Sequence, residues 1–242
     1  MSEPFAAAYR RATTQTAPGG PEMIGVQLAV ACADALSVDG VGLSLFTSDS
    51  FRTPIGASSP FATAAERLQF TVGEGPCLDA HTHREPVRAS DTELARRWPA
   101  FHRELVTKTP FRGIISLPLG HDLAGHAAID IYFRHPGRIL DPTIQQTTAA
   151  ANTVAALLAE HLRSIPFGSA AIDAWFDATE DSQRAMVSIA MGMVTVAADV
   201  TFHDALSLLR AHAYATDTSL DQLSTDLVTG RKTTHDLELG NW

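Results

Sequence analysis

Apolar residues recur along this chain with two different periods. Leu28, Cys32, Ala35 and Leu36 fall three and four apart, which predicts a helix over residues 28–36 with one buried face. Val41, Leu43 and Leu45 alternate with smaller residues and predict a half-buried strand, and residues 52–57 predict a second. A short helical pattern covers 61–70, a Gly- and Pro-rich loop covers 72–77, and another helix is predicted over 98–107. β-Branched and aromatic residues predict strands over 113–119 and 126–133. Asp141 followed by Pro142 is a helix start, Asp as the cap and Pro in the first turn, for a long helix ending at Arg163. With one more strand after the loop, the order predicts an α+β unit on an antiparallel sheet with flanking helices.

The period changes near residue 168. Pro166 biases Ile165 away from helix and Gly168 frees the next turn, so residues 164–171 read as a linker. Beyond it every period is helical. Ile172, Trp175, Thr179, Ser182, Met186, Ile189, Met193 and Val196 form a seven-residue pattern, a seam for self-association in which Ile172, Trp175, Met186 and Ile189 are the candidate dimer contacts. The polar Thr179 and Ser182 interrupt it, and the helix is able to restart there. A second helix starts at Thr201, with Asp204 in capping-box position and Phe202, Ala205, Leu206, Leu209 and Ala213 inward. A third runs from a Ser219 or Thr218 cap, with Leu220, Leu223, Leu227 and Val228 inward, to a stop at Gly230. Helices this short bury their apolar faces only by packing together, which predicts an all-α three-helix module over 172–235, with 236–242 as a tail. Residues 1–20 are polar and Pro/Gly-punctuated and are expected to be disordered or weakly ordered, leaving 21–163 as the α+β domain.

Composition narrows the classes. An apolar share of 45% supports a sizeable core. No apolar run approaches the ~18 residues that span a bilayer, so the expectation is a cytoplasmic protein with no membrane partner. Cys32 and Cys77 have no zinc-site spacing and are expected to be reduced thiols. The net charge is −9, and it is uneven. Residues 1–168 hold 14 Lys and Arg against 16 Asp and Glu, whereas residues 169–242 hold 4 (Arg184, Arg210, Arg231, Lys232) against 11. The helical module is thus the more acidic part, which opposes a uniformly nucleic-acid-attracting surface. Nothing supplies a nucleophile with its base, a metal set or a phosphate loop, so no enzyme is expected and no cofactor is evident. Cys77 sits just before a predicted helix, where a thiol pKa is lowered. It and Glu74 are candidates for redox or ligand sensing, with a small buried residue closing a turn as the alternative.

Two resemblances follow from particular residues. The run GEGPCLDA at 73–80, then Pro86 and Val87, then Arg97, Trp98, Pro99 and Phe101, then SLPL at 116–119, resembles GAF sensor domains of actinobacterial regulators over positions 22–163. That likeness implies a domain binding an unidentified small molecule or relaying protein contacts, usually as a dimer. Arg184, Val187, Ala190, Gly192 and Met193, then Ala205, Leu209, Arg210 and Ala213, then Leu220, Leu223 and Val228, resemble the ANTAR module over positions 182–232. That likeness implies binding, as a homodimer, to RNA carrying paired hairpins, and prevention of transcription termination. Met191 stands where the family often has lysine. The implied RNA-contacting residues are Arg184, Ala190, Met191, Gly192, Arg210, Ala213 and Tyr214: the arginines for phosphate, the small residues for close approach, Tyr214 for stacking. On the seven-residue register Arg184, Ser188 and Met191 lie away from the seam. Two alternatives remain open, a dimerisation or protein-interaction module without RNA binding, and a thiol-based redox sensor.

Overall fold

The computed structural model describes residues 2–15, 23–48, 51–120, 123–140, 144–164 and 182–237. Its centre is an antiparallel sheet of five strands: β1 (Gly40–Ser48), β2 (Phe51–Ala57), β3 (Val87–Ser90), β4 (Gly113–Pro118) and β5 (Ala127–Phe133), ordered β2-β1-β5-β4-β3. Every pairing is antiparallel, with Leu43 opposite Ile129 and Ser116 opposite Asp130. The architecture is therefore α+β, with helices covering both faces of the sheet.

The strand period of two assigns side chains to the two faces. Val41, Leu43, Ile115, Leu117, Ile129, Ile131 and Phe133 enter one core, with α1 (Glu3–Gln15), α2 (Ile24–Leu36) and α7 (Ile144–Ser164). Ile114 and Tyr132 enter the other, under α3 (Pro60–Val72), α4 (Pro76–His83), α5 (Asp91–Arg97) and α6 (Pro99–Lys108). Because both faces are covered, all of β5 is buried.

Two helices depart from the sequence expectation. Residues 3–15, expected to be weakly ordered, form α1. Phe5, Ala8 and Ala12 share one helical face and are buried with α2, which repays the ordering of the segment. Helix α5 is held by a capping box in which Ser90 and Glu93 satisfy each other's donors, a signal present in the sequence but not used above.

The C-terminal unit consists of α8 (Ser182–Ala198), α9 (Phe202–Ala215) and α10 (Leu220–Val228), closed by a 3-10 turn at Thr234–Leu237. Its caps fall where the residues put them. Thr201 accepts from the Asp204 amide at 3.1 Å, Ser219 accepts from the Gln222 amide at 3.1 Å, and Gly230 adopts φ +75° just past α10. The chain turns by 103° between α8 and α9. Val187, Ala190, Met191, Val194, Ala205, Leu206, Leu209, Ala213, Leu220, Leu223 and Leu227 make the bundle core. Leu237, expected in a tail, is buried with them, whereas Phe202, expected inward, is exposed. Phe70 of α3 is buried in this same cluster, so the bundle completes its core with a side chain from the first domain. No single helix among the described residues is long and apolar enough to cross a membrane.

Candidate functional site

Of the seven implied RNA-contacting residues, three are core. Ala190, Met191 and Ala213 are buried in the bundle, because the side of α8 that carries Ala190 and Met191 is the side that packs against α9 and α10. Met191 does lie away from the seam, but that side of α8 is the core side, so the expectation that Ala190, Met191 and Ala213 contact RNA is corrected. Gly192 is half-exposed and a methyl group added there would meet open space. The Arg184 side chain, with Ile172 and Trp175, lies outside the described residues.

The other two, Arg210 and Tyr214 on α9, are turned onto the first domain. The Arg210 guanidinium donates through Nε to the carbonyl of Phe70 at 3.0 Å and lies 5.4 Å from the Phe70 ring centre. It packs against Gly73, whose φ of +76° ends α3. Tyr214 accepts a hydrogen bond from Arg103 of α6, whose guanidinium lies 5.0 Å from the tyrosine ring centre. Beside them Lys108 donates to Asp217 at 2.8 Å and pairs with Glu104 at 3.0 Å, and the Leu220 amide donates to Thr71 Oγ1 at 3.3 Å. The bond to Lys108 holds the Asp217 carboxyl below its ordinary range. Two cavities flank Tyr214: one of about 180 Å³ against Leu68, Thr71, Lys108 and Ser219, and one of about 330 Å³ against Glu74, Ala100, Ser207 and Arg210.

The seam residues have the opposite placement. Ile189 and Val196 are 49% and 85% exposed, and Met186 and Met193 are half-buried, so α8 presents this apolar stripe outward.

In the first domain Glu74 and Cys77 have structural roles. Glu74 Oε1 accepts from the amides of Ala100 and Phe101, 2.8 and 3.0 Å away, capping α6. Cys77 is buried, and desolvation pushes its thiol well above the ordinary range even though Arg52 pulls the other way. Burial likewise raises Cys32 to about 12, and the two thiols belong to different clusters. Neither has the accessible thiolate that redox sensing requires, which corrects that reading.

What the sequence reading missed lies beside Cys77. Arg52, Glu66, Gln69, Asp130, Tyr132 and Ser44 form a fully buried polar centre between sheet and α3. Arg52 Nη2 pairs with Glu66 and, at 3.2 Å, with Asp130, while Nη1 donates to the Glu66 carbonyl at 2.8 Å. Tyr132 donates to Glu66 at 2.6 Å, Ser44 donates to Glu66 at 2.9 Å, and Gln69 donates to Asp130 at 2.7 Å while accepting from the Cys77 amide at 3.0 Å. Space for these side chains comes from glycines: a Cβ on Gly42 would stand 2.2 Å from Glu66, and one on Gly75, at φ +151°, 2.4 Å from Gln69. One cation faces two carboxylates, and burial raises Glu66 to about 7, so the centre favours keeping one proton. Charged residues inside strand text such as AAIDIYF at 127–133 were the available signal.

No family model matches the chain, and no curated protein matches it. Among solved structures it is similar to a GAF domain of a phosphoenolpyruvate-protein phosphotransferase from Coxiella burnetii, at 17% identity and TM-score 0.45, over 66% of this chain and 95% of that one. It is similar to a domain of a putative two-component sensor histidine kinase protein from Sinorhizobium meliloti, at 18% identity and TM-score 0.44, over 57% and 88%. It is also similar to the free methionine-R-sulfoxide reductase from Neisseria meningitidis, solved with its substrate, at 14% identity and TM-score 0.47, over 66% and 92%. Values of this size leave the functional argument to the residues.

Proposed function

We propose that the chain is a signal-responsive RNA-binding regulator. A GAF-type first domain receives the signal, and the C-terminal bundle, as a dimer, binds paired RNA hairpins and prevents transcription termination. The observation that carries this reading is the bundle itself: Val187, Ala190, Ala205, Leu209, Ala213, Leu220 and Leu223, seven of the residues on which the ANTAR resemblance rests, lie in its core. The outward stripe of Met186, Ile189, Met193 and Val196 supports self-association through α8. Two bundles in a dimer would offset the weak charge of each by engaging two hairpins at once.

The test is a mobility shift of the full chain with RNA carrying two linked hairpins and with the same RNA cut to one. The expected outcome is tighter binding to the linked pair. Failure to bind either RNA at low salt, also by a variant in which the bundle is undocked, would remove the reading. A second reading, a protein-interaction module without RNA affinity, is favoured by the 11 acidic side chains against 4 basic ones in residues 169–242. It requires that Arg184→Ala leave function unchanged, whereas the first requires weaker RNA binding from that variant with fold and dimer intact.

A further inference from the structure

RNA affinity rests on neutralised phosphates and on rings that stack against splayed bases. In a unit with four cations, each one engaged elsewhere is a large loss. Arg231 pairs with Asp226 within the unit at 2.8 Å, and Arg210 is bonded to Phe70 of the first domain. Tyr214 is held by Arg103. We propose that this docked arrangement is an autoinhibited state, in which the end of α3 together with α6 covers the α9 face that would meet RNA. RNA and the first domain then compete for Arg210 and Tyr214. The inference rests on the RNA-binding reading above and adds its regulation.

Three observations support it beyond the two residues. The contact is complementary in charge: the acidic unit offers Asp217, and α6 offers Arg103 and Lys108. It is more than a surface touch, because Phe70 is buried within the bundle core. It is also built on a helix with a second engagement. Glu66 and Gln69 of α3 reach into the buried polar centre, while Phe70 and Thr71, the next residues, hold the bundle. A displacement of α3 by a signal in the first domain acts on the docking surface directly, and the cavities on both sides of Tyr214 leave room for the ring to move. The two states required of a switch are thus the docked bundle and the undocked one.

The test uses the full chain at one fixed ionic strength. Arg103→Gln with Lys108→Gln loosens the dock without touching a residue assigned to RNA. A charge swap, Lys108→Glu with Asp217→Lys, is compared with Lys108→Glu alone. Hydrogen exchange at residues 70–73 and 210–220 reports docking, and a mobility shift with two-hairpin RNA reports affinity. The expected result is faster exchange and RNA affinity raised on the order of tenfold in the loosened variants. Both should return toward wild type in the swap, although Asp217→Lys adds a positive charge that would by itself favour RNA. If exchange shows undocking while affinity stays at the wild-type value, the autoinhibition is overturned and RNA binding stands. If undocked protein binds no RNA, the RNA reading falls and the autoinhibition with it. Unprotected amides at 210–220 in the wild type would also overturn the docked state.

Discussion

Two clusters of charge lie near helix α3, and they differ in almost every physical respect. Arg52, Glu66 and Asp130 are at most 1% exposed, while Lys108 at the end of α6 meets an Asp217 that is 81% exposed. Both bring a cation to carboxylates. In the dry centre each ion has left water, so removing one partner strands another at high cost. At the exposed contact between α6 and the bundle the Lys108–Asp217 pair is screened, and either partner returns to solvent when the contact opens. The first kind of cluster fixes a fold and the second allows a joint to open.

The largest expected effect tests the dry side. Arg52→Ala leaves Glu66 and Asp130 buried without their cation and is expected to cost about 3–5 kcal/mol, read as a fall in the urea midpoint. A change near zero would mean that water reaches the centre. Phe70→Ala removes a ring from the bundle core at a cost of about 3 kcal/mol. Amide protection over residues 205–227 is expected to fall while that of β5 persists; equal loss in both would show the two units to be one cooperative body.

Third comes pH. The Glu66 carboxyl is raised by burial from 4.5 to about 7. With a raised folded-state value, its contribution to stability is fully present below 4.5 and is lost as pH rises through about 7. Urea midpoints in the wild type are expected to decline across that window, and Glu66→Gln should flatten this part of the profile. A Glu66→Gln profile as steep as the wild type would assign the titration elsewhere. The smallest effect is that of Lys108→Ala, at most about 1 kcal/mol at low salt and less at high salt. A larger, salt-insensitive loss would move the Lys108–Asp217 contact into the same class as the buried centre.

The comparison also explains what could be read in the residues. Caps at Thr201 and Ser219 and the stop at Gly230 are local chemistry, and all three were legible. The strands were legible because their alternation is local too. Burial of Arg52 and Asp130 was not, since a charged residue in a strand reads as its solvent side until a second helical layer covers that side. Helix α8 misled for another reason. It carries two apolar stripes, one through Met186, Ile189 and Val196 and one through Val187, Ala190, Met191 and Val194. Periodicity shows both, and only the positions of α9 and α10 decide which is core. Arg210 and Tyr214 suit an RNA face and a docking face equally well, so their partner depended on where α3 and α6 lie.

Competition between RNA and the first domain is the central claim, and one titration addresses it directly. Two-hairpin RNA is added to the wild-type chain while hydrogen exchange is followed at residues 70–73 of the first domain. Bound RNA is expected to increase exchange there, as the bundle leaves Phe70 and Thr71. Saturation with RNA while those amides keep or gain protection would contradict the account.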